Sequence, residues 1–516
     1  DESVFKTAYN QLKERYDNLK GGFGSAPKFP TPHNLSFLLR YWKSYNENFA
    51  LEMVEKTLIE MRKGGMYDQI GFGFHRYSTD ANWLVPHFEK MLYDQALIAI
   101  PYIEVFQITK NEFYKNTAEE ILNYVLRDMT SANGGFYSAE DADSEGVEGK
   151  FYLWTIEEIK NVLENDSELF NKIFNIKERG NWIDPVHGSE DGTNISHLTK
   201  TLKEISKEIN LNEKELKNKI EKIRKKLFDF REKRIHPYKD DKILTDWNAL
   251  MITALAKASQ TFNNKTYSDA AEKSAKFILE KLMRKDGSLL HRYREGEAGL
   301  AAHIDDYAFF IAALLDLYET TFKVFYLEKA LELNEYFLKH FWDENEGAFY
   351  FTSDESEELI ARQKEIYDGA IPSGNSVAVL NLLRLSRITG NIELEEFASK
   401  IGTTFSKAIS QSPSAFAQFL MGLNFALNES NEIVIVGEKN NEETKKILAV
   451  TRENFMPNKI VILKSKEEEK ELGKISSFIK DQKMIDENTT VYICKNFVCE
   501  MPVTNAEVLK KKLNLS

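Results

Sequence analysis

At 516 residues and a net charge of −13, the chain is too long for one small core and carries the wrong sign for nonspecific nucleic-acid binding or an anionic membrane surface. Hydrophobic residues make up 42%, which excludes global disorder. No apolar run is long enough to span a bilayer and no secretory signal pattern is present. The first residue is Asp1 rather than Met, as expected of a processed or truncated chain. Two cysteines, Cys494 and Cys499, are no disulfide scaffold; they fit a reducing compartment, and a cytoplasmic location is expected.

Apolar residues recur at helical spacing through twelve segments. One set begins after Pro or a capping residue, at about 32–45, 86–108, 245–262, 304–321, 373–390 and 414–428. The run Ala308-Phe309-Phe310-Ile311-Ala312-Ala313-Leu314-Leu315 is apolar all round, so this set is buried on every side. The other set, at about 3–20, 48–63, 111–130, 265–284, 324–341 and 392–410, is one-sided. Glycine marks follow that outer set at Gly21-Gly22-Phe23, Gly64-Gly65-Met66, Gly134-Gly135-Phe136, Asp286-Gly287-Ser288 and Glu346-Gly347-Ala348. A repeated stop signal points to a repeat architecture. Inner-to-outer links are short, as in Thr109-Lys110-Asn111, Asn263-Asn264 and Thr389-Gly390-Asn391. Five hairpins in sequence, with the last inner helix paired to the first helix of the chain, predict a mainly α fold, an (α/α)6 toroid of six hairpins over residues 1–429.

Residues 131–244 are too many for a turn and predict an ordered insertion, with a β-hairpin from Gly135-Phe136-Tyr137 to Phe151-Tyr152-Leu153-Trp154 and a charged helix at about 211–233. Beyond residue 430, the runs at 433–436, 459–463 and 490–494 read as strands with helices between them, a small α/β unit at 430–516. It is expected to pack on the outer helices and to add nothing to the functional end. Its thiols are too far apart for Cys-x-x-Cys; two reduced thiols are the leading reading, a local disulfide the alternative.

Polar clusters stand at the starts of inner helices, where a toroid gathers positive helix ends around one mouth. They are Trp83 to Asp94, Thr245-Asp246-Trp247-Asn248, His303-Ile304-Asp305-Asp306-Tyr307 and Pro372-Ser373-Gly374-Asn375. On a helix at 86–108, His87, Lys90 and Asp94 share one face, with Glu89 and Tyr93 on the next. His75 and Arg76, just before, are placed to add a cation. Asp246, Asp305 and Ser373 equally suit helix caps, and Trp247 and Tyr307 equally suit a core. Asp141-Ala142-Asp143-Ser144-Glu145-Gly146 begins like a calcium loop, but Tyr152 stands where the bidentate Glu is needed. No Cys/His set has zinc spacing. No metal and no cofactor are expected.

The segments Gly21 to Pro30, His87-Phe88-Glu89-Lys90-Met91-Leu92-Tyr93-Asp94-Gln95, Asp141 to Gly146, Leu244-Thr245-Asp246-Trp247-Asn248 and Pro372-Ser373-Gly374-Asn375-Ser376 resemble the YyaL-like, spermatogenesis-associated-protein family of thioredoxin-domain proteins. The resemblance spans nearly the whole chain. It implies a thioredoxin-like domain ahead of residue 1 and a helical part similar to six-hairpin glycosidases and N-acylglucosamine 2-epimerases, with a sugar-type cavity for a carbohydrate-like small molecule or a glycan. Glycoside hydrolysis then assigns acid and second carboxylate to Asp246 with Asp305 or Asp306, Glu89 in reserve, and stacking to Trp83, Trp247 and Tyr307. An epimerase assigns bases to His87 and His303. Arg76, Lys90, Tyr93, Asp94, Asn248, Ser373 and Asn375 complete the lining. The alternative is a non-catalytic glycan- or peptide-binding scaffold for the thioredoxin-like domain.

Overall fold

Links of two or three residues set the architecture of the chain. The computed structural model describes residues 2–182, 192–356 and 362–515. Inner helices end on a residue in the left-handed conformation, at Asn46, Lys110, Asn263, Phe322 and Gly390. The next residues start the outer helix: Asn111 and Asn264 accept from the backbone N–H of Phe113 and Thr266, both at 3.0 Å. So short a link forces the two helices antiparallel and side by side.

The six inner helices are Pro32–Tyr45, Leu92–Thr109, Thr245–Phe262, Ile304–Thr321, Gly374–Thr389 and Ala417–Leu427. Each packs on the next, and the sixth packs back on the first, so the ring closes. The outer helices are Ser3–Arg15, Asn48–Lys63, Glu112–Asp128, Lys265–Lys281, Val324–Phe341 and Glu393–Thr404. This is the expected (α/α)6 toroid. The fourth inner helix is buried through most of its length, as its all-round apolar sequence requires.

Each of the first five outer helices runs into the same tight turn. It is pinned by one backbone pair: Tyr16 with Phe23, Tyr67 with Phe74, Thr130 with Phe136, Met283 with Leu289 and Trp342 with Phe349. In three copies an Asp follows the first pinning residue. Asp17, Asp68 and Asp343 each accept two N–H groups of the turn through Oδ1. Their Oδ2 atoms take a lysine from the following loop: Lys28 at 2.7 Å, Lys90 at 2.9 Å and Lys364 at 2.5 Å. An amide on the next inner helix then holds the second pinning residue by both its N–H and its carbonyl. Gln95 does so for Phe74 at 2.8 and 2.7 Å, Asn248 for Phe136 at 2.7 and 3.0 Å, and Asn375 for Phe349 at 2.9 Å twice. In the fourth unit the hydroxyl of Tyr307 accepts from Leu289 N–H at 2.8 Å.

Several local expectations are corrected. The segment 86–108 is not one helix: Pro86–His87 and Lys90–Met91 are short strands, and the helix starts at Leu92. In the second unit the turn runs from Tyr67 to Phe74 rather than through Gly64-Gly65. Neither of those glycines is left-handed; a Cβ on Gly64 would sit 2.1 Å from the Trp83 carbonyl oxygen. The last outer helix breaks after Thr404 into a second short helix, Ser406–Gln411.

The insertion forms strands Ala139–Glu140, Asp143–Ser144 and Val147–Glu148 and helices including Glu213–Arg231, which build a core of their own around Trp154, Phe170 and Leu227. Arg231 forks onto Asp68 at 2.9 and 2.8 Å, opposite Lys90. The expected hairpin is thus confined to 143–148.

In the C-terminal segment, strand Asn431–Val436 runs parallel to Lys459–Lys464 and antiparallel to Thr490–Lys495, which pairs with Val498–Cys499. Cys494 and Cys499 are joined as a disulfide, so the leading expectation of two free thiols is corrected. The unit lies across the C-terminal ends of inner helices rather than only on the outer ring. Arg452 donates to the carbonyls of Glu319 and Thr320 at 2.9 and 2.8 Å, and Gln107 donates to the Arg452 carbonyl at 2.7 Å. Orphan carbonyls at a helix end attract such cations. No helix among the described residues is long and apolar enough to cross a membrane.

The amide clamps yield a direct test. Asn375→Ala orphans the buried N–H and carbonyl of Phe349, at about 1–3 kcal/mol for each. The expected outcome is a clear fall in the denaturant midpoint, with Asn248→Ala behaving alike and a substitution at the exposed Lys265 leaving it unmoved.

Candidate active site at the toroid mouth

Asp306 is the centre of the mouth. It lies in the first turn of the fourth inner helix and is fully buried. Its Oδ1 accepts Asp246 N–H of the third inner helix at 3.0 Å, and its Oδ2 accepts His303 N–H at 2.8 Å. His291 Nδ1 lies 3.0 and 3.1 Å from the two oxygens. His291 comes from strand Leu290–Arg294, which pairs with Ile243–Leu244 just before the third inner helix. Sequence reasoning missed it; only its place in a strand between two clusters would have pointed to it.

Two further carboxyls flank this hub. Asp246 is buried, and its pKa stands well above the usual carboxylate range because burial and the neighbouring Asp306 both disfavour its charge. Asp305 is raised to about 7 by the same two causes, opposed by a bond from Gly374 N–H of the fifth inner helix. Gly374 is required here: a Cβ would stand 2.8 Å from Asp305 Oδ1. For His291, burial works against the charge, and the bond to Asp306 with the other two aspartates outweighs it, pushing the imidazole up to about 9. His303 is lowered, by burial first; its ring stacks on Phe351 at 4.9 Å.

Across the mouth, Arg76 Nη1 lies 3.1 Å from Glu89 Oε2. His87 sits between Glu89 at 3.6 Å and Glu148 at 2.8 Å, with Tyr77 stacked on it at 5.3 Å. Glu148 comes from the inserted hairpin, which therefore reaches this rim. The bonds to Glu89 raise the pKa of His87 and lower that of Glu89. Asp94 is buried with Oδ2 unpartnered among the described residues, and burial raises it well above its usual value against the pull of Arg76. The ring of Tyr93 meets that of Trp247 edge-on at 4.8 Å and joins the two halves. Below them, Leu250 and Phe309, one turn inside Asp246 and Asp305, line a cavity of about 130 Å³ with His33, Val377 and Gln418.

The other candidates lie elsewhere. Trp83 is fully buried, with its indole N–H donating to the Lys20 carbonyl at 2.9 Å. Tyr307 is packed between Tyr336 and Phe337. Neither ring is free to stack on a ligand. Asn248 and Asn375 are the clamps described above, and Ser373 caps the fifth inner helix by accepting Ser376 N–H at 3.1 Å. His75 is buried against Phe88 and Tyr152, its Nδ1 2.8 Å from the Phe88 carbonyl. Lys90 is sealed in with Asp68 and Arg231. Since His87 and Lys90 precede the helix, they share no helical face with Asp94.

Among the described residues, His291, His303 and Asp306 are close enough together to hold a metal ion. Both Asp306 oxygens already accept N–H donors, however, so the carboxylate is committed to the helices.

No family model matches the chain. Spermatogenesis-associated protein 20 of Homo sapiens is 34% identical over 545 residues, covering 99% of this chain and 69% of that protein. The Rattus norvegicus protein of the same name is 35% identical over 98% of this chain and 68% of its own length, and an uncharacterised protein of Caenorhabditis elegans is 35% identical over 99% and 74%. Among solved structures, a GH76 α-mannanase of Bacteroides thetaiotaomicron aligns at TM-score 0.49 and 11% identity over 82% of this chain and 95% of that one. A cellobiose 2-epimerase from Bacillus thermoamylovorans aligns at 0.31 and 13% over 72% and 94%.

The His291–Asp306 pair has a pH signature. The folded pKa of about 9 lies above the ordinary 6.5. The stabilisation is therefore complete below pH 6.5 and is lost as pH rises through 9. The stability difference between the native chain and His291→Gln, followed by denaturant unfolding, is expected to shrink across that window by on the order of 2–3 kcal/mol.

Proposed function

The chain belongs to the spermatogenesis-associated protein 20 family, and we propose that it is a carbohydrate-active enzyme of the glycoside-hydrolase type, with Asp246 and Asp305 as its acid and second carboxylate. One observation carries the reading: two carboxyls with raised pKa values flank a fully buried Asp306 that fixes the helix starts on which they stand. Cleaving a glycosidic bond takes one carboxyl that still holds its proton near neutral pH and a second that stabilises or forms the sugar intermediate. Burial supports the first role for Asp246. Asp305, poised at about 7, is suited to change protonation during turnover. His291, held by Asp306, places a positive charge beside both. Trp247 is the aromatic left at the mouth for a sugar face, since Trp83 and Tyr307 are in the core.

An epimerase with His87 and His303 as bases has less support. His87 is bound to two carboxylates, which favours its protonated form and removes the lone pair a base needs. The two histidines also belong to separate halves of the mouth.

The test is a panel of aryl glycosides and oligosaccharides. On any substrate turned over, Asp246→Asn and Asp305→Asn are each expected to lower kcat by 10²–10⁴, while the unfolding midpoint stays within a few degrees. The acidic limb of the native rate profile should lie near pH 7, where Asp305 loses its proton, and be lost in Asp305→Asn. Full activity in both variants would remove the carboxylate pair from the chemistry, and saturable glycan binding with no turnover would favour a binding scaffold.

A further inference from the structure

Past Arg40, Glu104, Lys257, Asp316 and Arg384, which also line the cavity below the mouth, the inner helices and the segment Asn454–Lys459 form a further, partly open cavity of about 110 Å³ toward the C-terminal ends of the helices. Its walls are strongly charged. Arg40 forks onto Glu104 at 3.0 and 2.8 Å, and Arg384 reaches Asp316 at 2.9 Å and Glu319 at 3.1 Å. These four inner-helix groups and Glu319 satisfy one another. Lys257, from the third inner helix, lines the same cavity with no ion pair or hydrogen bond among the described residues. Lys459 enters from the C-terminal unit, where among the described residues its ammonium donates only to the Thr451 carbonyl. The wall thus presents four cations to three carboxylates. The nearby amides do not correct this: among the described residues neither Gln107 nor Gln260 accepts from Lys257 or Lys459, and their N–H groups go to Thr261, Arg452 and Thr320.

Uncompensated ammonium groups in a partly buried space are costly. Lys459 shows the strain, lowered to about 8 by burial first and by the positive charges of Lys257, Arg452 and Arg384, against the pull of Glu319. The space has room for an ion of several heavy atoms, and two lysines on separate elements suit an ion with more than one charged oxygen.

We propose that this cavity binds a small multivalent oxyanion, of the phosphate or carboxylate class, through Lys257 and Lys459. Bound there, the anion ties the Asn454–Lys459 segment to the inner helices and locks the C-terminal unit over that end of the barrel. The site shares Lys257 with the cavity below the mouth, while Asp246 and Asp305 line neither cavity.

The experiment is equilibrium dialysis of the full chain against labelled inorganic phosphate and, separately, labelled malonate, at matched ionic strength in chloride. Saturable uptake of one ion per chain is expected in at least one arm, and the arm that saturates names the class. Lys257→Met is expected to weaken that uptake at least tenfold and Lys257→Arg to retain it, with Asp246→Asn at the mouth leaving it unchanged. Lys459→Met supplies the same reading where Lys257→Met does not fold. General stabilisation by excluded salts acts on every variant alike, so the comparison between variants isolates the site. Absence of saturable uptake in both arms, or equal uptake in native protein and both Met variants, would overturn the proposal.

Discussion

A carboxylate that accepts N–H groups from a neighbouring helix start is the interaction on which the mouth depends. Asp306 does this for the third and fourth inner helices, Asp305 for the fifth through Gly374, and Asp368 for the fifth and sixth by accepting Ser373 N–H at 3.0 Å and Gln418 N–H at 2.8 Å. Helix starts carry unpaired N–H donors and a partial positive charge. Bringing several to one rim exposes many such donors at once, and a short acidic side chain satisfies two helices together. Burial then raises the pKa of most of these acids, Asp368 to about 7, against the N–H bonds that lower it. The groups that fasten the rim and the groups that titrate near neutral pH are therefore drawn from one set. Capping and a titratable role are not rival explanations of Asp305; the first creates the conditions for the second.

The loops that carry the rim have their own fastening. In three units an Asp folds the turn after the outer helix with one oxygen and takes a lysine with the other. Each lysine sits on the segment leading to the next inner helix, so the ion pair sets where that helix begins. In the second unit Arg231 joins the pair, which ties the insertion to the barrel and brings Glu148 over His87. The insertion thereby builds part of the mouth.

Much of this was legible in the residues. Helical spacing, short links and repeated glycine marks were enough for the twelve helices and the closed ring. The starts of the third, fourth and fifth inner helices, with Asp246, Asp305 and Asp306, were legible because polar residues at the head of an apolar run have few explanations. What escaped detection depends on pairing across the chain. His87 to Met91 carries helical spacing, yet its backbone pairs with Tyr77 and Glu140, so strand bonds win over local pattern. Trp83 and Tyr307 stand beside polar residues and point inward, a direction no spacing rule contains. Asn248 and Asn375 look like ligand-binding amides because a bidentate clamp on a peptide group and one on a ligand use the same donor and acceptor. His291 and Asp368 lie in connecting segments, and only the folded chain brings them to the rim.

The two ends of the barrel sort charge as their helix ends dictate. At the mouth, N–H donors gather carboxyls: Asp246, Asp305, Asp306 and Asp368. At the other end, free carbonyls gather cations: Arg452 on Glu319 and Thr320, Lys439 on Thr321, and Lys110 on Glu453 from the barrel side. A ring of parallel inner helices sums six dipoles of one sense, which makes this sorting strong. It also divides what each end can hold. At the mouth, Asp246 and Asp305, held above the usual carboxylate range, suit a neutral, hydroxyl-rich ligand, whereas the other end, with Lys257 and Lys459 unmatched, favours negative charge. One architecture, by the direction of its helices alone, thus gathers carboxyls at one end and cations at the other.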